Sequence, residues 1–202
     1  MYQFFESIKI ENSVPLNLFF HQERVKQTFR DHFSSSKQIP DLEKIIIVPS
    51  DLGKGIFKCR FLYNESGWKT EYTAYTPRKV ASLKLIHIDN IDYSYKFTNR
   101  DVINKAFSLK NTSDDILIIK EGMITDTSIA NIIFQKDKKW YTPANPLLHG
   151  TCRARLIARG IVIETEITLS NLNQYSHFML INAMNDSDKD RMISADENHI
   201  FV

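Results

Sequence analysis

The chain of 202 residues, 43% hydrophobic and 25% charged, is long enough to bury the core of one large domain or two small ones. With 26 basic and 24 acidic residues its net charge is +2, too close to balance for nucleic acid or a membrane surface to be the main partner. It has no apolar run that could span a bilayer, no signal-peptide pattern and no cluster of metal ligands around its two cysteines. We therefore expect a cytoplasmic protein without a metal site.

The N-terminal part is predicted to be an open sheet with one or two helices. Two alternating apolar and polar runs within residues 4–20, divided by a polar turn, are typical of a β-hairpin. Apolar side chains at helical spacing predict an amphipathic helix over residues 21–33. Strands separated by turn residues are then predicted at 42–48, 55–63, 68–75 and 83–88.

The C-terminal part is predicted to be a second α+β domain. Its expected elements are a helix over 98–109 capped by Thr98 or Asn99, strands at 116–120, 129–134 and 139–142, a helix over 153–159 ended by Gly160, strands at 161–167 and 177–182, and an edge strand at 199–202. We expect the two domains to cover residues 1–95 and 96–202.

The segment from Gly122 to Arg153 holds the most informative polar residues. Asp126 lies in a Thr-Asp-Thr-Ser run before the apolar residues 129–134, which predicts a turn carboxylate where a strand begins. Gly150 and Thr151 end a loop rich in proline, just before a helix, where backbone N–H groups and a hydroxyl can bind a phosphate. The same two residue types also suit a simple turn and N-cap. Together, the acid and the turn suggest a charged, phosphorylated cofactor.

The order of four sequence runs resembles that of the class IV aminotransferase family: FFESIKIENSVPLNLFFHQERV, ITDTSIANIIF, YTPANPLLHGTCRARLI and GIVIETEITLSNLNQYSHFMLINAMN. The resemblance covers both ends of the chain. It implies the two-domain α+β fold of the fold type IV pyridoxal phosphate enzymes, as in D-amino acid aminotransferase, with a truncated small domain. It also implies pyridoxal 5′-phosphate as the cofactor between the domains, a small amino compound as substrate, and a homodimer.

The resemblance requires a lysine that forms an imine with the aldehyde of the cofactor. Lys96 precedes Asp126 by 30 residues, similar to the lysine-to-acid spacing of the family, whereas Lys84 precedes it by 42 and Lys105 by 21. Aromatic residues flank Lys96 on both sides. We therefore predict Lys96 as the catalytic lysine; the alternative is a solvated surface side chain.

The remaining cofactor contacts also follow from the resemblance. Asp126 matches the family glutamate that pairs with the pyridine nitrogen, although it is one methylene shorter; the alternative is a turn-capping aspartate with Asn131 as a second turn residue. Arg24 matches the arginine of a His-x-x-Arg helix that binds the phosphate, and His21 is expected to pack or cap that helix. The other implied cofactor contacts are Ser128, Gly150, Thr151, Cys152, Asn182 and Ala183.

Within the family, the short chain and the run Asn182-Ala183-Met184 are more similar to the lyases. The leading expectation is therefore 4-amino-4-deoxychorismate lyase, which releases 4-aminobenzoate and pyruvate in folate biosynthesis. The alternatives are a D-amino acid or branched-chain aminotransferase and a non-catalytic relative that binds the cofactor. Arg60, Arg78 and Arg153 are candidate partners for a substrate carboxylate, and the sequence does not rank them.

Overall fold

The structure, a computed structural model, describes residues 2–34 and 38–201. Its internal contacts divide the chain into two compact units: the first comprises Met1–Pro77 and Tyr95–Asn99, and the second Arg78–Ser94 and Arg100–Val202. The boundary that we expected between residues 95 and 96 therefore differs from this division, in which Lys96 belongs to the first unit. The reason is a return of the chain: Phe97 bridges to Phe4, and the backbone N–H of Phe5 donates to the carbonyl of Lys96 at 3.0 Å.

In its described residues, the first unit is a four-stranded antiparallel sheet with two helices. Its elements are β1 (Phe4–Glu11), β2 (Val14–Pro15), α1 (Leu18–His32), α2 (Leu42–Ile45), β3 (Ile56–Asn64) and β4 (Gly67–Ala74), and the strand order is β2-β1-β3-β4. Alternation along β1 places Phe4, Ile8 and Ile10 on one face, where they form a core with Val25 and Phe29 of α1. The alternate residues of β1 therefore lie on the other face of the sheet, on the side away from α1.

Two expectations in the first unit need correction. The second arm of the hairpin does not reach Phe20, because Asn17 adopts a left-handed conformation (φ 57°) and α1 begins at Leu18. The strand predicted at 42–48 is wrong. Leu42–Ile45 is a single helical turn, and the Asp41 side chain caps it by accepting from the N–H of Glu43 at 3.1 Å. The strands predicted at 55–63 and 68–75 are confirmed to within one residue.

The second unit contains a nine-stranded mixed sheet within the described part of the chain. Its strands are β5 (Leu83–His87), β6 (Asp115–Lys120), β7 (Met123–Thr127), β8 (Asn131–Lys136), β9 (Lys139–Pro143), β10 (Val162–Thr165), β11 (His177–Ile181), β12 (Ile193–Ser194) and β13 (Ile200–Phe201). The strand order is β10-β9-β8-β7-β6-β5-β13, with β11 paired to β8 and β12. Its helices are α3 (Asp101–Phe107) and α4 (Thr151–Ala158), with single 3-10 turns at Leu172–Gln174 and Lys189–Arg191.

The central strands of the second unit are buried on both faces. Phe134 and Phe178 point into one core, whereas Ile133 and Met179 point the other way and pack against Leu156 of α4. Such strands consist of continuous apolar runs rather than alternating ones, as in IIF and FMLI. This is why periodicity predicted these strands but not the faces that their side chains occupy.

Two expectations in the second unit also change. Helix α3 starts at Asp101 and has Arg100 at its N-cap without a side-chain hydrogen bond, whereas the Thr98 hydroxyl donates to the carbonyl of Tyr2 at 2.8 Å. Asp126 lies inside β7 rather than in the turn that follows it. The left-handed conformation of Gly160 (φ 66°) after α4 is confirmed. Strand β13 lies at the predicted edge position and pairs in parallel with β5, although Val202 is outside the described residues.

No helix in the described ranges is both long and apolar enough to span a membrane.

Candidate functional site

In the first unit, a fully buried carboxylate holds the predicted phosphate-binding arginine. The Arg24 guanidinium donates to both oxygens of Glu6, from Nε to Oε1 at 2.8 Å and from Nη2 to Oε2 at 2.5 Å. His21 lies one turn earlier on α1, with Nδ1 at 2.6 Å from Oε2 of the same carboxylate. Glu6 has 0% exposure. The orientation of Arg24 is thus set by a bidentate pair across the sheet–helix core.

The charge state of this cluster follows from its contacts. Burial alone would raise the pKa of Glu6, but the charge of Arg24 and the hydrogen bonds from His21 and Arg24 lower that pKa to about 2. Burial, together with the charges of Arg24 and Lys96, lowers the pKa of His21 despite the contact with Glu6. Because an ionised carboxylate only accepts hydrogen bonds, Nδ1 of His21 must be the donor. His21 is thus a buried partner of Glu6 rather than a helix cap.

Lys96 lies in the same unit. Its Nζ is 4.8 Å from the centroid of the Phe5 ring, and its charge contributes to the low pKa of His21. The first unit thereby brings Lys96 near Arg24 and His21, which lie more than 70 residues earlier in the sequence. Glu6 was not among the predicted site residues; the available signal was an acid in the strand run that resembles Phe-Glu-Thr, paired with the His-x-x-Arg spacing.

In the second unit, Asp126 is a buried acid held by two N–H donors. Its Oδ1 accepts from Nδ2 of Asn131 at 2.7 Å, and its Oδ2 accepts from the backbone N–H of Leu148 at 2.9 Å. The same Asn131 amide donates to the carbonyl of Leu148 at 2.8 Å. Asp126 therefore ties β7 to the loop before α4. This contact differs from the alternative interpretation, in which Asp126 caps its own turn.

The pKa of Asp126 is raised to about 6, because burial outweighs the hydrogen bonds from Leu148 and Asn131 and the charge of Arg153. Its exposure is 5%. Unlike Glu6, it has amide donors rather than a cation in direct contact. A buried acid of this kind gains most from a positively charged partner, and this is the role that the resemblance assigns to a protonated pyridine nitrogen.

Gly150 and the start of α4 form a close backbone approach. A Cβ atom on Gly150 would lie 1.9 Å from Oδ1 of Asn131, so only glycine leaves room for the amide that holds Asp126. Its φ of −68° suits any residue, so space and not conformation requires the glycine. Helix α4 has no side-chain cap, and Thr151 is its first residue. Its first N–H groups thus remain suited to an anion.

The remaining predicted residues surround the turn between β7 and β8. The N–H of Ser128 donates to Oδ1 of the buried Asp115 at 3.3 Å, and its carbonyl accepts from Arg100. Nδ2 of Asn182 donates to the carbonyl of Ile129 at 3.3 Å. These contacts fix the backbone beside Asp126. Ala183, next to Asn182, is half-buried.

The Cys152 side chain is part of the core beneath α4. Its exposure is 4%, and burial raises the pKa of its thiol to about 12. Sγ accepts a hydrogen bond from Arg155 at 3.6 Å. The thiol is therefore unreactive, and a contact between Cys152 and the cofactor remains a prediction for its backbone N–H.

The Glu6 cluster predicts a large stability effect from a small change. Glu6→Gln leaves the Arg24 charge without its buried counter-charge, so the free energy of unfolding should fall by about 3–5 kcal/mol, measured by urea denaturation. Glu11→Gln is the matched control, because Glu11 pairs with Lys9 at 3.3 Å on the surface and should cost less than about 1 kcal/mol. Equal effects of the two substitutions would contradict the role given to Glu6.

The raised pKa of Asp126 predicts a stability that falls with pH. The folded state holds the proton up to about pH 6 and the unfolded state only up to about pH 4, so stability from this group is present below pH 4 and lost as pH rises to 6. Asp126→Asn should remove this pH dependence, worth about 3 kcal/mol, on top of a constant cost. Urea titrations of the cofactor-free chain at pH 4 and 6.5 measure it. Asp137→Asn, at an exposed turn, should keep the wild-type pH profile.

The Gly150 contact predicts coupling with Asn131. Gly150→Ala should lower the free energy of unfolding by about 1–3 kcal/mol, because the new methyl displaces the Asn131 amide. In an Asn131→Ala background the same change should cost clearly less, since the clashing oxygen is gone. A double-mutant cycle measures the difference. Additive costs would show that the glycine is required for another reason.

The comparisons with known proteins agree with this architecture. The family model described as amino-transferase class IV matches residues 60–186, a range that includes Lys96, Asp126 and Gly150. An uncharacterized protein of Haemophilus influenzae is 36% identical over 186 residues, which cover 92% of this chain and 99% of that protein.

Solved structures give the same result. A protein of Haemophilus somnus, provisionally named a 4-amino-4-deoxychorismate lyase, is 35% identical with a TM-score of 0.86, over 92% of this chain and 98% of that one. A hypothetical aminotransferase of Mycobacterium tuberculosis, solved with pyridoxal phosphate bound, shares the fold at 14% identity with a TM-score of 0.75, over 92% of this chain and 78% of that one. From the family match and these relatives it follows that the chain belongs to the class IV aminotransferase family and has its mixed α+β fold.

Proposed function

We propose that the protein is a pyridoxal 5′-phosphate enzyme that acts as a 4-amino-4-deoxychorismate lyase. The observation that carries the cofactor is the cluster in the first unit, where Lys96 lies with an arginine that Glu6 orients. The choice of reaction is supported by the similarity, over nearly its whole length, to the structure provisionally named as that lyase. The substrate would be a small amino compound.

The donor groups of this chain fit the cofactor. Lys96 offers a primary amine for an aldehyde, and Arg24 offers a pre-oriented guanidinium for a phosphate. Gly150 and Thr151 offer the uncapped start of a helix for phosphate oxygens, and Asp126 offers a buried carboxylate for a ring N–H. When bound, pyridoxal phosphate supplies an aldehyde that reacts with amines and a ring that withdraws electrons.

Each residue has a defined role in the proposed reaction. Lys96 would hold the cofactor through its amine, and Nζ would serve as the general acid and base that moves a proton. Asp126 would accept a hydrogen bond from a ring N–H of the cofactor, and its burial keeps water from competing for that carboxylate. In the first unit Arg24 would bind the cofactor phosphate, and in the second unit the N–H groups at Gly150 and Thr151 are also suited to phosphate oxygens.

The family description names aminotransferases, and this supports the second candidate, which the resemblance gives as an aminotransferase for a D- or branched-chain amino acid. The two reactions need different co-substrates. A lyase releases pyruvate from its substrate without a keto acid acceptor, whereas an aminotransferase converts the cofactor into its amine form with an amino acid alone. This difference can be measured directly.

The cofactor assignment predicts a specific covalent label. Purified protein mixed with pyridoxal phosphate should show an absorbance band at about 410–430 nm, and borohydride reduction followed by peptide mapping should place the label on Lys96. Lys96→Met should abolish the band, and Lys105→Met, on the exposed side of α3, should retain it. A label spread over surface lysines would contradict the assignment.

The reaction assignment predicts the products. With 4-amino-4-deoxychorismate, the loaded protein should release pyruvate and 4-aminobenzoate in equal amounts without added keto acid. Lys96→Met should abolish release. If pyruvate is not released but an amino acid alone converts the cofactor to its amine form, the protein is an aminotransferase and not the lyase. If the band forms and neither reaction occurs, the protein is a non-catalytic relative.

A further inference from the structure

The face of the first unit's sheet opposite α1 carries more cations than acids. Alternation places Phe5, Ser7 and Lys9 of β1 on this face, because Phe4, Ile8 and Ile10 are in the core on the other side. The strand register then places the next positions of β3 and β4 beside them, in three rows: Phe5 with Leu62 and Lys69, Ser7 with Arg60 and Glu71, Lys9 with Lys58 and Thr73.

Arg60 on this face and Lys96 contact the same aromatic ring. The guanidinium carbon of Arg60 lies 4.9 Å from the centroid of the Phe5 ring, and Nζ of Lys96 lies 4.8 Å from the same centroid. Both distances are within the range of cation–π contacts. Phe5 thus keeps a guanidinium and the candidate reactive amine at the same place on the sheet, within reach of one small ligand.

The like charges on this face are only partly neutralised by the chain. Lys9 and Lys58 are directly opposite on neighbouring strands, an arrangement that destabilises a sheet. Glu11 pairs with Lys9 at 3.3 Å, and Glu71 pairs with Lys69 at 3.0 Å and lies opposite Arg60 in the register. Within the described ranges, Lys58 and Arg60 have no ion-pair partner at 4.0 Å or less. A bound anion would offset this repulsion.

The other two candidate arginines are already occupied. Arg78 pairs with Asp115, whose side chain is fully buried. Arg153 is 3% exposed, and its Nη2 donates to the carbonyl of Pro143 at 2.8 Å and to Glu164 at 2.6 Å. Moving either guanidinium to a ligand would leave a buried group unpaired, which is costly. Arg60 is half-buried and needs no such exchange.

We propose that Arg60 binds a carboxylate of the substrate whose amine reacts at Lys96, and that the Lys9–Lys58 pair binds a second anionic group of the same molecule. This rests on the proposed function, which makes Lys96 the reacting lysine. Arg60 and Lys58 are two positions apart on one strand face, so the two anion sites are about 7 Å apart. The substrate class is therefore a compact amine with two carboxylates.

Three ring amines that differ only in carboxylate number test the proposal: aniline with none, 3-aminobenzoate with one and 5-aminobenzene-1,3-dicarboxylate with two. Their affinities for the protein loaded with pyridoxal phosphate are measured by calorimetry and by the shift of the 410–430 nm band. The unsubstituted protein should bind the three with affinity that rises at each added carboxylate.

Arg60→Met should weaken binding of both carboxylated amines about 10- to 100-fold and leave aniline unchanged. Lys58→Met should weaken the dicarboxylate alone, by about 3- to 10-fold. Arg30→Met, on the exposed side of α1, is the control and should change none of the three affinities. All variants should keep the absorbance band and the wild-type unfolding midpoint, and Arg60→Lys should recover part of the lost affinity.

The outcomes separate this inference from the proposed function. A band with unchanged carboxylate dependence in Arg60→Met would overturn the inference and leave the cofactor assignment intact. Equal weakening of aniline and the carboxylated amines would also overturn it, because Arg60 would then not bind the carboxylate specifically. Absence of the band in the unsubstituted protein would overturn the proposed function and, with it, the role of Arg60 beside a reacting lysine.

Discussion

A carboxylate removed from water needs hydrogen-bond donors inside the chain, and this constraint shapes the candidate site in both units. Glu6 obtains its donors from α1, so the pair that neutralises the carboxylate also fixes the helix against the sheet. Asp126 obtains its donors from Asn131 and from the loop before α4. In each case one side chain connects segments far apart in sequence, and the segment so held contains a residue assigned to the cofactor.

The two acids differ in the charge of their donors, and their chemistry differs accordingly. Arg24 is a permanent cation, and its contact keeps Glu6 ionised with a pKa of about 2. Asp126 has only amide donors in contact, and burial raises its pKa to about 6. Glu6 is thus satisfied by the chain itself and suits a positioning role. Asp126 has no cation in direct contact among the described residues, so its ionised form would gain further stability from a positively charged partner.

The two faces of the first unit's sheet also differ in how completely their charges are neutralised. The core face of its sheet holds an acid that is neutralised by Arg24, whereas the opposite face holds Lys9, Lys58 and Arg60 with fewer acids than cations. Lysines directly opposite each other on neighbouring strands destabilise the folded sheet. Under the proposed function, a substrate with carboxylates beside Lys96 would neutralise these lysines. Their attraction to the substrate would then contribute to binding close to the reacting amine.

Local patterns in the sequence were sufficient for most elements. Apolar runs and turn residues predicted β3, β4, β5, β6, β9 and β11 to within one residue, and Gly160 was correctly placed after α4, because these features depend on neighbours along the chain. They failed where the conformation or cap of a single residue redirected the backbone. Asn17 ended a strand early, and the Asp41 cap turned an apolar run into a helical turn. The sequence order of motifs also predicted the family, which the comparisons confirm. It predicted the lysine and the acid as well, and these two remain predictions.

Only the tertiary structure decided which residues those predicted groups contact. Glu6 was not among the predicted site residues, and only the structure shows that its carboxylate contacts His21 and Arg24. Asn131 and Gly150 are 19 residues apart, yet the glycine is needed because the amide occupies its Cβ position. Arg60, Arg78 and Arg153 were equivalent in sequence, and burial and ion pairing separate them. The physical reason is that hydrogen bonding and desolvation depend on distances in space, which strand pairing and helix packing set and sequence spacing does not.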